Sequence, residues 1–322
     1  MKLGVFTVLF QHLTLEETLD RVASLGLEAV ELGTGNYPGN SHCDPAILLS
    51  DPARVEHLLS AVRDRGLVIS ALSQHGNPLH PQQEIADAAH ETWRRTVELA
   101  NALEVRVVNA FPGCPGDHAG ARWPNWVTCA WPPDYLEVLN WQWEERIIPY
   151  WCEQAEFAQR HGVTVGFEMH PGFPVYNPAT LLRLRDAAGP AIGCNFDPSH
   201  LFWQGIDPLI AIKELGRAGA IVHVHAKDLR VDPANAARNG VLETTPYTNV
   251  LDRGWSFRTV GYGHGSGFWR DVVSTLRAVG YDSVMSNEHE DPLASIDEGL
   301  AKAIALLSGV MLTEDPAEIW WA

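Results

Sequence analysis

The chain has 322 residues, of which 46% are hydrophobic and 20% charged, so it can bury a sizeable core in one large domain or two small ones. Its formal net charge of −17 argues against a nucleic-acid partner, because affinity for a polyanion depends on Lys and Arg side chains that neutralise phosphates. The sequence contains no apolar run near the roughly 18 residues that a membrane helix needs. Neither nucleic acid nor a membrane is therefore an expected partner.

The cysteines and the N-terminus predict a cytoplasmic protein. The five cysteines form an odd, scattered set without a C-x-x-C pair, which is typical of reduced thiols. The first residues, MKLGVFTVLFQHLTLEE, contain one Lys and a short apolar run but lack a small-residue cleavage site. We interpret them as a first strand and not as a signal peptide.

An amphipathic helix, a glycine and a short apolar strand recur along the chain. The glycine is the usual residue that ends a helix in a left-handed conformation. The repeats cover residues 15–33, 54–73, 153–170, 181–197, 209–228 and 272–291, and a helix at about 84–103 precedes a strand at 105–111 without the glycine. The predicted strands are 3–9, 29–33, 68–74, 105–111, 164–170, 192–197, 221–227 and 283–290.

Eight strands that alternate with helices predict a single (β/α)₈ barrel. A doubly wound open sheet is the alternative, but the first strand-to-helix turn, FTVLFQHLT, lacks a G-x-G-x-x-G phosphate loop. Two connections are long, 112–135 after strand 4 and 229–267 after strand 7, and both lie at the strand ends where barrel enzymes carry their sites. We expect the barrel domain to span residues 1–309 and a C-terminal tail to span 310–322.

The last four strands end in residues that commonly bind metals. Because side chains alternate along a strand, Glu168, Asp197, His225 and Glu288 are predicted to point into the barrel. Three carboxylates in one confined site require a compensating cation. A set of mostly oxygen ligands with one imidazole favours Mn²⁺, with Mg²⁺ also suitable, over a closed tetrahedral zinc site. His223 lies deeper, and we expect it to be buried and hydrogen-bonded.

The motifs FEMHPG, NFDPSHL, VHVHAKD and NEHED, in this order, resemble the xylose-isomerase-like TIM-barrel superfamily, over about residues 2–308. Within it, the chain is most similar to the sugar phosphate isomerase/epimerase group, which includes the ketose 3-epimerases. The resemblance implies a divalent metal, with Co²⁺ also possible, bound by Glu168, Asp197, His225 and Glu288. It also implies that His200 contacts a substrate oxygen. Val231 and Pro174 stand where ketose 3-epimerases of free hexuloses carry an Arg and a Glu, which leaves the sugar open.

These features predict a metal-dependent sugar isomerase/epimerase that abstracts an α-proton through a metal-bound enediolate. Glu168 and Glu288 are the expected acid/base pair, one removing the proton and the other returning it to the opposite face. The remaining expected substrate-binding residues are His200, Lys227, His170, His75 and Asn109. Lys227 could equally form an ion pair with Asp228, Glu31 or a site carboxylate.

Three other functions compete with this prediction. A lyase or hydratase acting on a 3-keto-glycoside would use the same proton abstraction in the same site. A phosphodiesterase of the endonuclease IV type would need three zinc ions and a basic face, and a non-catalytic sugar-binding subunit would not need the ligand set. The segment GYGHGSG (261–267) could cradle a phosphate at a helix N-terminus or simply form a turn; we favour an unphosphorylated sugar.

Tryptophans are concentrated in the long connection after strand 4 and just beyond it. They are Trp123, Trp126, Trp131, Trp141 and Trp143, and the tail adds Trp320 and Trp321. A run of exposed rings would favour aggregation, so we expect the segment to cover the barrel mouth or another subunit. The expected assembly is a homo-oligomer.

Overall fold

The computed structural model describes residues 1–318 and 321, and its centre is a closed barrel of eight parallel strands. The barrel strands are β1 (Lys2–Phe6), β2 (Ala29–Gly33), β3 (Val68–Gln74), β4 (Val107–Ala110), β5 (Thr164–Glu168), β6 (Ile192–Phe196), β7 (Ile221–Ala226) and β10 (Val284–Asn287). The strands follow one another around the barrel in chain order, and β10 closes it by pairing with both β7 and β1. The predicted (β/α)₈ barrel is confirmed.

Helices connect the strands and surround them. They are α1 (Leu15–Ser24), α2 (Pro45–Leu49), α3 (Pro52–Arg63), α4 (Gln83–Ala102), α5 (Asp134–Trp141), α6 (Ile148–Arg160), α7 (Pro178–Ala188), α8 (Ser199–Phe202), α9 (Pro208–Arg217), α10 (Pro233–Asn239), α11 (Ser266–Ala278) and α12 (Ile296–Ser308). A 3₁₀ turn, Thr7–Phe10, follows β1, and a π-helical turn, Gln142–Ile147, joins α5 to α6. In the part of the chain that the structure describes, no helix is long and apolar enough to cross a membrane.

Local sequence explains where many of these helices begin and end. Five helices start with proline after a capping side chain that accepts backbone N–H groups, namely Asp44, Asp51, Asn177, Asp207 and Asp232. The cap satisfies donors that the first turn leaves free, and proline has no N–H to lose there. Gly26 and Gly66, which follow α1 and α3, have φ angles of 73° and 70°, which side chains other than glycine rarely adopt.

The apolar core lies between the barrel and its helices. Val165, Phe167 and Val224 point outward from their strands and are fully buried. Trp151 of α6 packs edge-on against Phe167, with the ring centroids 4.5 Å apart, and against Trp93 of α4 at 5.5 Å. Each buried side chain of this kind contributes about 1.5–3 kcal/mol relative to exposure. Since this alternation places apolar side chains outside the barrel, the polar positions of the same strands face its axis.

The segments predicted as long connections contain further elements that sequence reasoning missed. Residues 229–267 include most of an antiparallel hairpin, β8 (Asp228–Val231) and β9 (Trp255–Arg258), with α10 between its strands. Residues 111–133 lack helix and strand, and α5 begins at Asp134 inside the predicted loop. The hairpin strands have four residues each, which is too short to give a clear period of alternation.

Candidate active site

Four predicted ligand residues meet where the strands end. Glu168 is the last residue of β5, Asp197 follows β6, His225 lies in β7, and Glu288 follows β10. One ligand-type atom from each lies within 4.8 Å of the others. The His225 Nδ1 atom is 2.9 Å from Glu288 Oε2 and 3.4 Å from Glu168 Oε2. The structure thus brings together the whole predicted metal-binding set.

Two oxygens of this set are buried without a hydrogen-bond partner. Asp197 Oδ2 and Glu288 Oε2 accept no well-aligned hydrogen bond, although cationic groups lie nearby. A buried carboxylate oxygen without a partner costs free energy, and a cation would compensate for it. Three carboxylates and one imidazole match the preference of Mn²⁺ and Mg²⁺ for oxygen, and they leave coordination positions for a substrate. The residues therefore fit a divalent cation.

Imidazoles surround Glu168. His200 Nε2 lies 2.9 Å from its Oε1 atom, and His75 Nε2 lies 3.2 Å from its Oε2 atom. Burial raises the pKa of Glu168, but hydrogen bonds led by that of His200 outweigh burial, so the pKa lies well below its ordinary value. Glu168 is therefore a carboxylate at neutral pH and can accept a proton.

Lys227 is a buried cation of the site. Its Nζ atom lies 2.6 Å from Glu290, 3.1 Å from Glu288 and 3.9 Å from Asp197, and 4.3 Å from the ring centroid of Phe257. Of the ion-pair partners considered for Lys227, the site carboxylates are the ones found. Burial raises the pKa of Glu288, but Lys227 and His225 outweigh burial and lower it to about 2.

Two further groups have pKa values shifted by burial. Burial raises the pKa of Asp197 to about 6, against the opposing charges of His200 and Lys227. Burial, assisted by the nearby His200, lowers the pKa of His170 to about 3, so this imidazole is neutral. The Nδ1 atom of His170 lies 2.6 Å from the carbonyl oxygen of Pro171. That contact assigns the proton to Nδ1 and leaves Nε2 as a hydrogen-bond acceptor.

A further acidic residue, Glu31 of β2, lies beneath the metal-binding set. Both of its carboxylate oxygens are 3.0 Å from His225 Nε2. Ser73 donates to Glu31 Oε1 over 2.5 Å, and the Asn109 amide donates to the same atom over 2.9 Å. His225 is thus held between Glu31 on one side and the ligand carboxylates on the other.

Glu31, His223 and His225 also lie close enough together to hold a metal. His223 is already satisfied, however: its Nδ1 lies 3.0 Å from Asn195 Oδ1 and its Nε2 lies 3.2 Å from Ser70 Oγ. Burial lowers the pKa of His223 to about 4. These contacts agree with the prediction that His223 is buried and hydrogen-bonded. The set of Glu168, Asp197, His225 and Glu288, which has two oxygens without a hydrogen bond, is the better metal site.

A cavity of about 240 Å³ opens above the set. Phe6, Tyr37 and Phe111 form an aromatic wall, and the polar lining comprises Glu168, Glu288, Glu290, Lys227, His75 and His170. Asp197, His200, His225 and Asn109 do not line the cavity; His200 lies behind Glu168, and Asn109 lies below, on Glu31. A larger cavity, about 620 Å³, lies at the opposite end of the barrel around Lys2 and Arg106, away from this set.

The GYGHGSG segment is folded around Asp228. One oxygen of Asp228 accepts the backbone N–H groups of Gly261, Gly263 and His264 over 2.9–3.1 Å, and His264 Nδ1 lies 2.8 Å from the other. Asp228 thus takes three backbone N–H groups that the segment could otherwise offer to a phosphate. Of the two roles considered, the contacts agree with a turn.

Sequence reasoning missed Glu31 as a partner of His225, and it missed the aromatic wall. Glu31 had a detectable signal: it is the single charged residue in AVELG, on the same strand face as Ala29 and Gly33. The aromatic residues Tyr37 and Phe111 lie outside regular strands, so their direction could not be read from alternation.

Comparison with known proteins identifies the family of this barrel. The family model for the xylose isomerase-like TIM barrel matches residues 19–308, and the chain belongs to that family. Among curated relatives, it is 37% identical to the uncharacterized protein YfiH of Bacillus subtilis (strain 168), over 95% of this chain and 98% of that protein. It is 38% identical to the rhizopine catabolism protein MocC of Rhizobium meliloti, over 71% of this chain and 62% of that protein.

Solved structures of similar fold have different activities. The probable 3-DHS dehydratase AsbF of Bacillus anthracis has a TM-score of 0.66 at 17% identity, covering 96% of this chain and 99% of its own. An L-ribulose 3-epimerase has a TM-score of 0.58 at 20% identity, and the match covers 94% of this chain and 86% of the epimerase. An IOLI protein with a bound zinc atom has a TM-score of 0.65 at 16% identity, and the match covers 97% of this chain and 100% of the IOLI protein. At these identities the likeness is one of fold.

Proposed function

We propose that this protein is a divalent-metal-dependent sugar isomerase/epimerase that acts by α-proton abstraction on a ketose or keto-sugar. The observation that carries the proposal is the convergence of Glu168, Asp197, His225 and Glu288, which includes two buried oxygens that accept no well-aligned hydrogen bond. These four residues would hold the metal, for which we propose Mn²⁺. When bound, the cation polarises the substrate carbonyl and stabilises the negative charge that develops beside it.

The two glutamates are suited to move the proton because they alone among the four ligands line the cavity. One carboxylate removes the proton from the carbon next to the carbonyl. The other carboxylate, once it has taken up a proton from solvent, protonates the opposite face of that carbon, which inverts its configuration, and the first carboxylic acid then releases its proton to solvent. The low pKa values of Glu168 and Glu288 mean that both begin as carboxylates, and the first transfer makes one of them an acid.

Other residues would hold the sugar. Lys227, His75 and His170 line the cavity and can bind substrate oxygens, with His170 Nε2 accepting from a hydroxyl. We propose that His200 acts through Glu168, which it contacts at 2.9 Å, and that Asn109 acts through Glu31. The aromatic wall suits the apolar face of a sugar ring.

The substrate that fits best carries no phosphate. Three backbone amides of the glycine-rich turn are bound by Asp228, and Lys227 is already surrounded by carboxylates. An unphosphorylated ketose or keto-sugar avoids placing a further anion among these groups. The likeness to an L-ribulose 3-epimerase supports a free sugar as the first substrate class to test.

The second candidate is a metal-dependent lyase or hydratase on a 3-keto-glycoside. It uses the same proton abstraction but also needs an acid to protonate the departing oxygen. Lys227, whose Nζ atom lies 3.1 Å from Glu288, is a donor in a suitable place. A probable dehydratase is among the solved structures of similar fold, which supports testing this reaction. Loss of a hydroxyl or glycosyl group from the product would distinguish it from epimerisation.

The deciding experiment follows deuterium uptake from D₂O into the α-carbon of ketoses and keto-glycosides, with Mn²⁺ titrated to saturation. We expect Glu168→Gln and Glu288→Gln each to lower the exchange rate by about 10²–10⁴-fold, the range typical of losing an acid/base group. Glutamine keeps a coordinating oxygen, so metal affinity should fall less than the rate.

His225→Asn is the contrasting variant, since it removes a ligand that does not line the cavity. It should weaken metal binding first and regain part of its activity in excess Mn²⁺. If both glutamine variants exchange at near wild-type rates under saturating metal, the two-glutamate mechanism is wrong. Full activity in strong chelator with no bound metal would exclude the metal dependence itself.

We also propose that the protein is cytoplasmic and works as a homo-oligomer. The cysteines of the described residues are all free, which agrees with a reducing compartment.

A further inference from the structure

We infer that Glu31 is a positioning residue, which fixes His225 so that its Nδ1 atom, and not its Nε2 atom, binds the metal. The inference rests on the proposed metal site and deepens it. It assigns a role to a buried carboxylate that does not line the cavity and belongs to a different strand from all four ligands.

The two sides of the His225 ring face different groups. Nδ1 faces the ligand carboxylates, 2.9 Å from Glu288 and 3.4 Å from Glu168. Nε2 faces Glu31, with both oxygens at 3.0 Å. An ionised carboxylate only accepts hydrogen bonds, so Glu31 holds a proton on Nε2. A metal bound in place of a proton at Nδ1 would leave the ring neutral, with its Nδ1 lone pair directed at the metal-binding set.

Asn195 does not make this choice. Its Nδ2 atom lies 3.3 Å from Nδ1 and 3.2 Å from Nε2 of His225, so it contacts both nitrogens equally. Apart from the ligand carboxylates, Glu31 is thus the group among the described contacts that treats the two nitrogens differently.

Glu31 is itself held rigidly. The Ser73 hydroxyl and the Asn109 amide both donate to Oε1, and the side chain is fully buried. A carboxylate that cannot rotate away keeps the imidazole in one orientation. Partners of this kind typically change metal affinity or activity by about 10–100-fold when they are removed.

The first measurement determines the protonation of the two His225 nitrogens in the wild-type protein. In protein labelled with ¹⁵N-histidine and loaded with diamagnetic Zn²⁺ or Mg²⁺, the His225 signals are assigned by their absence in His225→Asn. We expect a protonated Nε2 and a metal-bound Nδ1. A metal-bound Nε2 overturns the inference.

The second measurement titrates Mn²⁺ by the electron paramagnetic resonance signal of the free ion. Glu31→Gln has the same shape but can donate to Nε2 and so stabilise the wrong tautomer. It should bind Mn²⁺ about 10–100-fold more weakly. Ser70→Ala is the matched control. It removes a hydroxyl group that contacts His223 in the same polar interior, and the described contacts of this hydroxyl include neither Glu31 nor His225. Its affinity should stay within about twofold of wild type.

A purely structural role for Glu31 would lower the melting temperature of Glu31→Gln but leave the Mn²⁺ affinity of the folded protein unchanged; that result overturns the inference while the metal site stands. A wild-type protein that binds no divalent metal overturns both the inference and the proposed function.

Discussion

Lys227 shows most clearly how single residues depend on one another in this site. It is 3% exposed and is packed between the ring of Phe257 and the carboxylates of Glu288 and Glu290. Those carboxylates raise the pKa of Lys227 well above its ordinary value, although burial acts in the opposite direction. The ammonium group therefore stays charged and balances part of the negative charge in the absence of a metal.

We predict that Lys227→Met destabilises the metal-free protein by about 3–5 kcal/mol, because it leaves buried carboxylates uncompensated. Mn²⁺ should restore more stability to this variant than to wild type, since the cation replaces part of the missing charge. Urea unfolding with and without Mn²⁺ measures both effects. Lys213→Met, at an exposed position on α9, is the control and should change stability by no more than about 0.5 kcal/mol. If Lys227→Met loses less than about 1 kcal/mol of stability, or shows no added response to Mn²⁺, Lys227 does not compensate the buried carboxylates.

At the scale of elements, Asp228 connects the hairpin to the glycine-rich turn before α11. It begins β8, and its side chain accepts three backbone N–H groups from the turn at residues 261–264. The hairpin in turn places Phe257 over Lys227 and against the ring of His200 at 5.7 Å. The Asp228 carboxylate thus helps to hold the hairpin in its contacts with Lys227 and His200.

We predict that Asp228→Ala lowers the free energy of unfolding by about 3 kcal/mol, because several hydrogen bonds to a charged group are lost together. The hairpin should also become more open to proteolysis between residues 240 and 258. Asp232→Ala is the comparison, since it removes only the cap of α10 and should cost about 1 kcal/mol. Urea unfolding and limited proteolysis test the difference. Equal losses in the two variants would show that Asp228 acts as an ordinary cap.

At the scale of the whole molecule, the tryptophan-rich segment is only partly covered. Trp143 is buried and Trp126 packs against Tyr176, but Trp123 and Trp131 are 63% and 75% exposed. Trp321 is 69% exposed, and Trp320 lies outside the described residues. The boundary between a barrel at 1–309 and a tail at 310–322 stays a prediction, as does the homo-oligomer. The tail does contact the barrel, since Arg277 donates to the carbonyl oxygens of Leu312 and Glu314.

We predict that the wild-type protein sediments as an oligomer and that Trp123→Ser combined with Trp131→Ser weakens its self-association. Aromatic side chains contribute a large share of the binding energy at protein interfaces. Leu251→Ser, which replaces an 89% exposed leucine in the β8–β9 connection, is the control and should leave the oligomer unchanged. Analytical ultracentrifugation over a range of protein concentrations measures the effect. A wild-type monomer would rule out the oligomer.

Sequence patterns alone were enough to predict the barrel, which the structure confirms, and the four residues of the proposed metal-binding set. Both follow from local periodicity: helix–glycine–strand repeats give the alternation, and a period of two along each strand decides which side chains face the axis. Parallel strands bring their carboxyl ends to one edge, so Glu168, Asp197, His225 and Glu288 had to meet once the barrel closed.

The surroundings of that set depend on tertiary contacts between distant parts of the chain. The contact of Glu31 with His225 joins strands whose residues lie 194 positions apart. The binding of Asp228 to the turn depends on how the hairpin folds back, and the aromatic wall depends on irregular segments. Such contacts have no local pattern, because side-chain direction outside regular strands is set by packing and not by sequence period.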